Sequence, residues 1–296
     1  NKTTLDVLSF EESEERVIIK GNKFVYCFDK LKGIFDTLEF NNLNLIEGPM
    51  EYNIWRAPTD NDRKIKVNWK LAGYNRAYSR AYDCKIIVEE RKIILDVKTA
   101  MVSETVQRLL TLRTKWSINP CGNIEVEATI EKNSELPQLP RFGLRMYLSK
   151  TMNQVSYYGI GPMESYPDKC RAGSHGLYRG NIIEMHVDYI RPQENGSHHD
   201  CDFVQVVDKE RKIGIMILME EAFSFNFSSY TQEELEKKKH NFELEECKSN
   251  ILCIDYKQNG IGSNSCGPEL LKDYQFDDDK FQFKINIIPY RIPKSI

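Results

Sequence analysis

Short apolar runs recur along this chain with turn-forming residues between them, at residues 24–28, 86–88, 93–97, 124–130, 142–148, 204–207, 213–219, 223–227 and 281–287. Several alternate apolar with polar positions, and a period of two puts every second side chain on one face of a strand. Brief polar connections such as Glu89-Glu90-Arg91-Lys92 and Asp208-Lys209-Glu210-Arg211 join neighbouring runs. So few residues can connect only antiparallel strands, because a parallel pair needs a crossover of a dozen or more. The pattern predicts an all-β fold built on large antiparallel sheets in a sandwich. In Phe223-Ser224-Phe225-Asn226-Phe227 three rings share one face, which is expected to be the core face. One segment breaks the pattern. From Thr231 to His240, acids precede bases and Thr231 pairs with Glu234 as a capping box, which predicts one short surface helix with Lys237, Lys238 and Lys239 at its solvated end.

With 296 residues the chain has room for one or two domains. No Pro/Gly/Ser-rich linker and no internal repeat divides it, so a single domain over residues 1–296 is expected, with 1–15 as a linker or edge segment. Residues 1–16 are polar and acidic and do not begin with Met, which reads as a piece cut from a longer polypeptide. Lys and Arg number 41 against 44 Asp and Glu, which leaves little basic charge for phosphate neutralisation and argues against a nucleic-acid partner. The longest apolar stretches, such as 213–219, fall well short of the roughly 20 residues of a membrane span, so a soluble chain is expected. Eight cysteines are scattered singly with no CxxC pair, which reads as reduced thiols in the cytoplasm.

Four segments concentrate chemistry. Trp55-Arg56-Ala57-Pro58-Thr59-Asp60-Asn61-Asp62 crowds a guanidinium, an amide and two carboxylates into a proline-closed loop. Such groups match sugar hydroxyls, and a tryptophan face can stack on a sugar ring, although Asp and Asn in loops more commonly satisfy their own backbone. Tyr157-Tyr158-Gly159-Ile160-Gly161-Pro162-Met163-Glu164-Ser165-Tyr166-Pro167-Asp168 carries a GxG start at Gly159 and Gly161, but Glu164 and Pro162 defeat a dinucleotide fingerprint. What remains is a bend presenting Glu164, Tyr166 and Asp168. Pro192-Gln193-Glu194-Asn195-Gly196 leads into His198, His199, Asp200, Cys201 and Asp202. Those are metal-ligand types, but adjacent residues of an extended segment face opposite ways, so no metal is expected and Glu194 and Asn195 are the better hydrogen-bonding groups. Gly260-Ile261-Gly262-Ser263-Asn264-Ser265-Cys266-Gly267-Pro268 is a loop of small residues that permits close backbone approach. No base stands beside Cys266 in the sequence, so a packed or loop-lining thiol is favoured over a nucleophile.

In this order the four segments closely resemble the C-terminal, or small-chain, domain of the large bacterial β-galactosidases of glycoside hydrolase family two. The family's R-A-P-x-D-N-D, Y-x-G-x-G-P-x-E-N-Y-x-D, P-x-E-N-G and G-x-G-x-D-S-W patterns fall on residues 56–62, 158–168, 192–196 and 260–266. Pro140-Arg141-Phe142-Gly143-Leu144 and residues 230–240 resemble further family stretches. The chain departs from the pattern at Ser165, His198, Asn264 and Cys266, the last replacing a tryptophan that lines the aglycone side of the family's sugar pocket.

The resemblance implies a single galactose-mutarotase-like β-supersandwich packed beside a catalytic TIM-barrel domain or large subunit, within an oligomer of the full enzyme. It also implies an accessory role in hydrolysis of terminal non-reducing β-D-galactose residues. In that role no residue of this chain is catalytic, and the carbohydrate rim comprises Arg56, Asp60, Asn61, Asp62, Glu164, Tyr166, Glu194, Asn195, His198, Asn264 and Cys266. No cofactor is implied in this chain, any Mg or Na ions of the parent being held in other domains. Since retaining hydrolysis needs two carboxyls about 5 to 5.5 Å apart, and the resemblance puts both in the barrel, the isolated chain is expected to be inactive. Two alternatives stay open. A stand-alone aldose mutarotase would pair His198 or His199 with Glu194 or Glu164, and a non-catalytic carbohydrate-binding module would expose an aromatic platform from Trp55, Trp69 or Trp116.

Overall fold

A computed structural model describes residues 8–106 and 108–293. Two sheets form, and every strand pairing in them is antiparallel. The smaller runs in chain order through β1 (Ser9–Glu12), β2 (Arg16–Gly21), β3 (Phe24–Asp29), β4 (Ile34–Phe40) and β5 (Leu43–Asn44). Of the segment expected as linker or edge, residues 1–7 lie outside the described residues and β1 forms the edge of this sheet.

The larger sheet has twelve strands: β6 (Glu51–Asn53), β7 (Tyr78–Glu89), β8 (Lys92–Val102), β9 (Leu110–Ile118), β10 (Ile124–Lys132), β11 (Arg141–Leu148), β12 (Gln154–Gly161), β13 (Ser174–Asn181), β14 (Ser197–Asp208), β15 (Ile213–Ser228), β16 (Asn250–Gln258) and β17 (Lys280–Arg291). Its main path is β13-β12-β14-β15-β17-β10-β9-β8-β7, with a branch from β15 through β16 and β11 to β6. The branch arises inside β15. Its first half, Ile213 to Met219, pairs with β17, while Ser224 to Ser228 pairs with β16. The two apolar runs at 213–219 and 223–227 are therefore one strand that changes partner. Both short connections are hairpins as expected, with Glu89 opposite Lys92 and Asp208 opposite Ile213.

Alternation sets the core. Leu110, Leu112, Thr114, Trp116 and Ile118 of β9 are buried together with Ile124, Val126, Ala128 and Ile130 of β10, while the residues between them face outward. Phe28 and Phe35 of the small sheet meet Trp116 edge-on at 6.0 and 5.4 Å between ring centroids, a preferred aromatic geometry. Trp116 leads on to Tyr52 and Phe142, and one continuous apolar cluster spans both sheets. Phe223, Phe225 and Phe227 join it, but Ser224 and Asn226 on the opposite face are buried as well.

The expected helix is α2 (Gln232–Lys237), as yet the second helix in the chain. Thr231 Oγ1 accepts from Glu234 N at 3.1 Å, but the Glu234 carboxylate accepts from Glu245 N at 2.9 Å instead of returning to the cap, so only half of the capping box forms. Leu235 and Gln232 are buried, which docks the helix against the body. Where one helix was expected, two α-helices are found among the described residues. α1 (Ile65–Ala72) buries Trp69 and Ala72 and ends at Gly73, whose left-handed φ of 83° lets its N–H return to the helix carbonyls. Among the described residues no helix is long and apolar enough to cross a membrane.

Candidate functional site: a cleft where four loops meet

The four singled-out segments lie up to about 200 positions apart in the chain and converge on one cleft of about 420 Å³. The first contributes Thr59, Asp60 and Asn61, the second Glu164 and Tyr166, the third Gln193 and Glu194, and the fourth Ile261 and Gly262.

Arg56 is the staple. Fully buried, it donates to both oxygens of Asp62, from Nε at 3.1 Å and Nη2 at 2.7 Å, a bidentate geometry that suits a planar guanidinium. Its remaining donors reach the Asn259 carbonyl at 2.5 Å and the Gly260 carbonyl at 2.9 Å, and its guanidinium stands 5.4 Å from the Trp69 ring centroid. Asp62 in turn accepts from Thr59 N at 2.9 Å and so closes its own loop. Burial withholds Arg56 and Asp62 from any ligand, and their geometry makes them a clasp between the first and fourth segments.

Two further side chains grip the fourth loop. Asn61 donates to the Gly262 carbonyl at 2.6 Å and accepts from Ser265 N at 3.2 Å. Asp168 accepts from Ile261 N at 2.8 Å and Gly262 N at 2.6 Å. Gly260 has no room for a side chain, because a Cβ would lie 2.9 Å from Asp168 Cγ, and Gly262 adopts φ +67°. Asn264, which accepts from Lys64 Nζ at 3.1 Å, and exposed Cys266 belong to this loop but are not among the residues that line the cleft. Asp60 is also exposed, with Arg191 and Gln193 3.4 Å from its two oxygens.

Behind the cleft lies a buried layer centred on Arg141, which no sequence argument had assigned a role. Arg141 Nε donates to Asp255 Oδ1 at 2.9 Å, Nη2 donates to Asp255 Oδ2 and, at 2.7 Å, to Asn226, and Nη1 reaches Glu194 at 3.2 and 3.3 Å. Gln258 ties the layer together by donating to Ser197, Asn226 and Asp255. Burial opposes the Arg141 charge, but Asp255 and Glu194 outweigh it and hold the guanidinium well above its ordinary pKa. For both carboxylates burial dominates instead, raising their pKa against the pull of Arg141. A signal for this layer exists in the sequence. Arg141 follows Leu139-Pro140 and Asp255 follows Ile251-Leu252-Cys253-Ile254, and a charge set against such apolar neighbours is tolerated in a core only with a partner.

The remaining predicted residues are held in place. Glu164 accepts from Lys169 Nζ at 2.6 Å, from Gly196 N at 2.8 Å and from the Tyr189 hydroxyl. Asn195 accepts from Val187 N at 3.0 Å and donates to the Gln193 carbonyl at 3.0 Å. Tyr166 is buried at the cleft wall with no hydrogen-bond partner for its hydroxyl among the described residues, and burial followed by Glu194 and Glu164 raises its pKa well above the ordinary value.

His198 lies between the Tyr157 and Phe225 rings with Nδ1 3.4 Å from the Ile160 carbonyl, and burial pushes its pKa down to about 4. His199 Nδ1 meets Ser224 Oγ at 3.0 Å. Neither histidine is hydrogen-bonded to Glu164 or Glu194 among the described residues, so the acid–base pair of a mutarotase is not assembled. The platform of a binding module is not presented by tryptophan either. Trp116 and Trp69 are fully buried, and Trp55, proposed to stack on a sugar, is 4% exposed and donates to Glu236 at 3.1 Å.

In comparisons with known proteins, a galactose 1-epimerase from Lactobacillus acidophilus NCFM superposes with a TM-score of 0.54 over 97% of this chain and 100% of its own. Identity there is 7%, so the likeness is one of fold. A beta-galactosidase of Actinobacillus pleuropneumoniae is 43% identical over 97% of the chain, and one of Staphylococcus xylosus 36% identical over 90%. The chain spans 28% and 27% of the length of these two relatives. Residues 20–287 match the family described as beta galactosidase small chain, a range that takes in all four cleft segments. With its fold, its cleft and its relatives in agreement, this chain belongs to the beta-galactosidase small-chain family.

Proposed function

We propose that the chain is the accessory C-terminal domain or small subunit of a β-galactosidase, and that it completes the rim of a galactoside site whose catalytic carboxyls reside in a TIM-barrel domain or large subunit. The observation that carries this reading is the convergence of the four segments on one cleft, with the loop bearing Asn264 and Cys266 clasped from three sides by Arg56, Asn61 and Asp168. Such a clasp fixes the position of a rim loop, as a preorganised site requires. Asp60, Asn61, Asn264 and Cys266 form the rim. Arg56, Asp62, Glu164, Tyr166, Glu194, Asn195 and His198 hold it.

The buried carboxylates of Asp62, Glu194 and Asp255 are each committed to an arginine, which supports a catalytic pair supplied from outside this chain and no activity for the chain alone. A single folding unit is supported by the continuous core of the described residues, and the eight free cysteines fit a reducing cytoplasmic compartment. The full enzyme is read as an oligomer, with no cofactor bound by this chain.

The test is turnover of a chromogenic β-galactoside by the purified chain, alone and mixed with the complementary part of the Actinobacillus relative. Activity only on mixing supports the reading. Turnover by the chain alone refutes the inactive-subunit role, and silence in both refutes the complementing role.

A further inference from the structure

Beside the polar cleft runs a groove of about 650 Å³ whose surface is mostly apolar, lined by Pro162, Met163, Met185 and Val187 together with the charged Asp168, Arg171 and Glu184. Glu164 and Lys169 line both concavities, so groove and cleft share a wall. Met163 stands on the lip, 55% exposed. The irregular stretch that follows β13 carries Ile183 and Ile190, 79% and 78% exposed, and Asn241 N donates to the Ile190 carbonyl at 3.0 Å, which brings Phe242, 82% exposed, alongside. Single exposed apolar residues are ordinary, but Ile183 and Ile190, which flank the groove-lining Glu184, Met185 and Val187 in the chain, together with Phe242 and Met163 mark an interaction surface.

Resting on the function proposed above, we infer that this groove and its Ile190–Phe242 flank dock the remaining part of a β-galactosidase polypeptide, which seats apolar side chains between Met163 and Val187 and closes the outer wall of the polar cleft. The length of the relatives argues for this occupant, since this chain accounts for 28% of the Actinobacillus enzyme and leaves nearly three quarters of it to be packed against something. The shared wall argues for the same partner. A body seated in the groove touches Glu164 and Lys169, whose ion pair already orders the cleft, and by excluding water it strengthens that pair.

The test uses the full chain and the complementary part of the Actinobacillus relative, with association followed by sedimentation and activity in parallel. Met163→Asp and Phe242→Asp are expected to weaken association at least tenfold while thermal melting of the chain stays unchanged, because both side chains are solvent-exposed in the free chain. Val88→Asp, on the far edge strand and 63% exposed, is the control and leaves association within twofold. Wild-type association with groove variants that also stay within twofold overturns the groove assignment alone. Self-association of the chain that Met163→Asp abolishes overturns it in favour of a second copy. Failure of the wild type to associate sinks the proposed function and this inference with it.

Discussion

The aromatic seam between the sheets and the arginine layer behind the cleft are equally dry, yet they are held by different physics. Phe28, Phe35 and Trp116 in the seam and Arg56, Arg141 and Asp255 around the cleft all show no exposed surface. In the seam each contact is individually weak and many share the load, so a small change of shape forfeits only a few of them. In the layer the guanidinium donors of Arg56 and Arg141 have named acceptors, and loss of one partner strands a charge where water cannot reach it. Depth of burial alone therefore does not measure how a position responds to change. The chemistry of its partners does.

The largest expected effect tests this directly. Arg141→Ala leaves Asp255 and Glu194 as uncompensated buried carboxylates, and the variant is expected to lose about 3–5 kcal/mol in urea unfolding. A loss near 1 kcal/mol would mean that the layer relaxes as readily as the seam, and the contrast would fall.

A second test uses pH. Burial lowers the His198 pKa to about 4, so between that value and about 6.5 the unfolded chain binds a proton that the native state refuses. Its contribution is complete above pH 6.5 and is lost as pH falls towards 4, on the order of 3 kcal/mol in all. Glu194 and Asp255 act with opposite sign. Their raised pKa values favour the protonated native state, so their contribution is present in acid and is lost as pH rises through those values. Comparing wild type with His198→Phe cancels the carboxylates, and wild type is expected to lose stability relative to the variant as pH falls from 7 to 4.5. Parallel pH profiles would show that His198 titrates normally.

Within the apolar core, Ile285→Val in β17 is expected to cost about 0.5–1.5 kcal/mol by the same unfolding measurement, although Ile285 is as deeply buried as Arg141. A cost equal to that of Arg141→Ala would erase the distinction between the two regions.

The sheets were legible in the sequence because period-two alternation and short polar turns are local signals, and both hairpins follow from them. α1 was not, for a local reason too. Lys64 provides no side-chain cap, and β-branched Ile65 and Val67 favour strands, so only Gly73 marks the helix by its end. The clasp was illegible for a different reason. Asn61 and Gly262 are 201 positions apart, and no spacing within either loop says that they meet. Motif order revealed that these loops matter, while the assignment of Arg56 and Asp62 to a clasp and of Asp60 to the rim needed their burial.

That last division gives the smallest and sharpest prediction. Asp60 and Asp62 stand two residues apart in one loop and carry the same carboxylate, but Asp62 lies in the bidentate grip of Arg56, while the Asp60 side chain is 55% exposed with its polar neighbours 3.4 Å away. An exposed ion pair at that distance contributes little, because water screens it and two mobile side chains resist being fixed. Asp60→Asn is therefore expected to change unfolding stability by less than about 0.5 kcal/mol, and to act instead on the KM of the mixed enzyme for galactosides. If stability falls by more than about 2 kcal/mol, Asp60 belongs to the clasp with Asp62. The rim is then reduced to Asn61 and the Asn264–Cys266 loop.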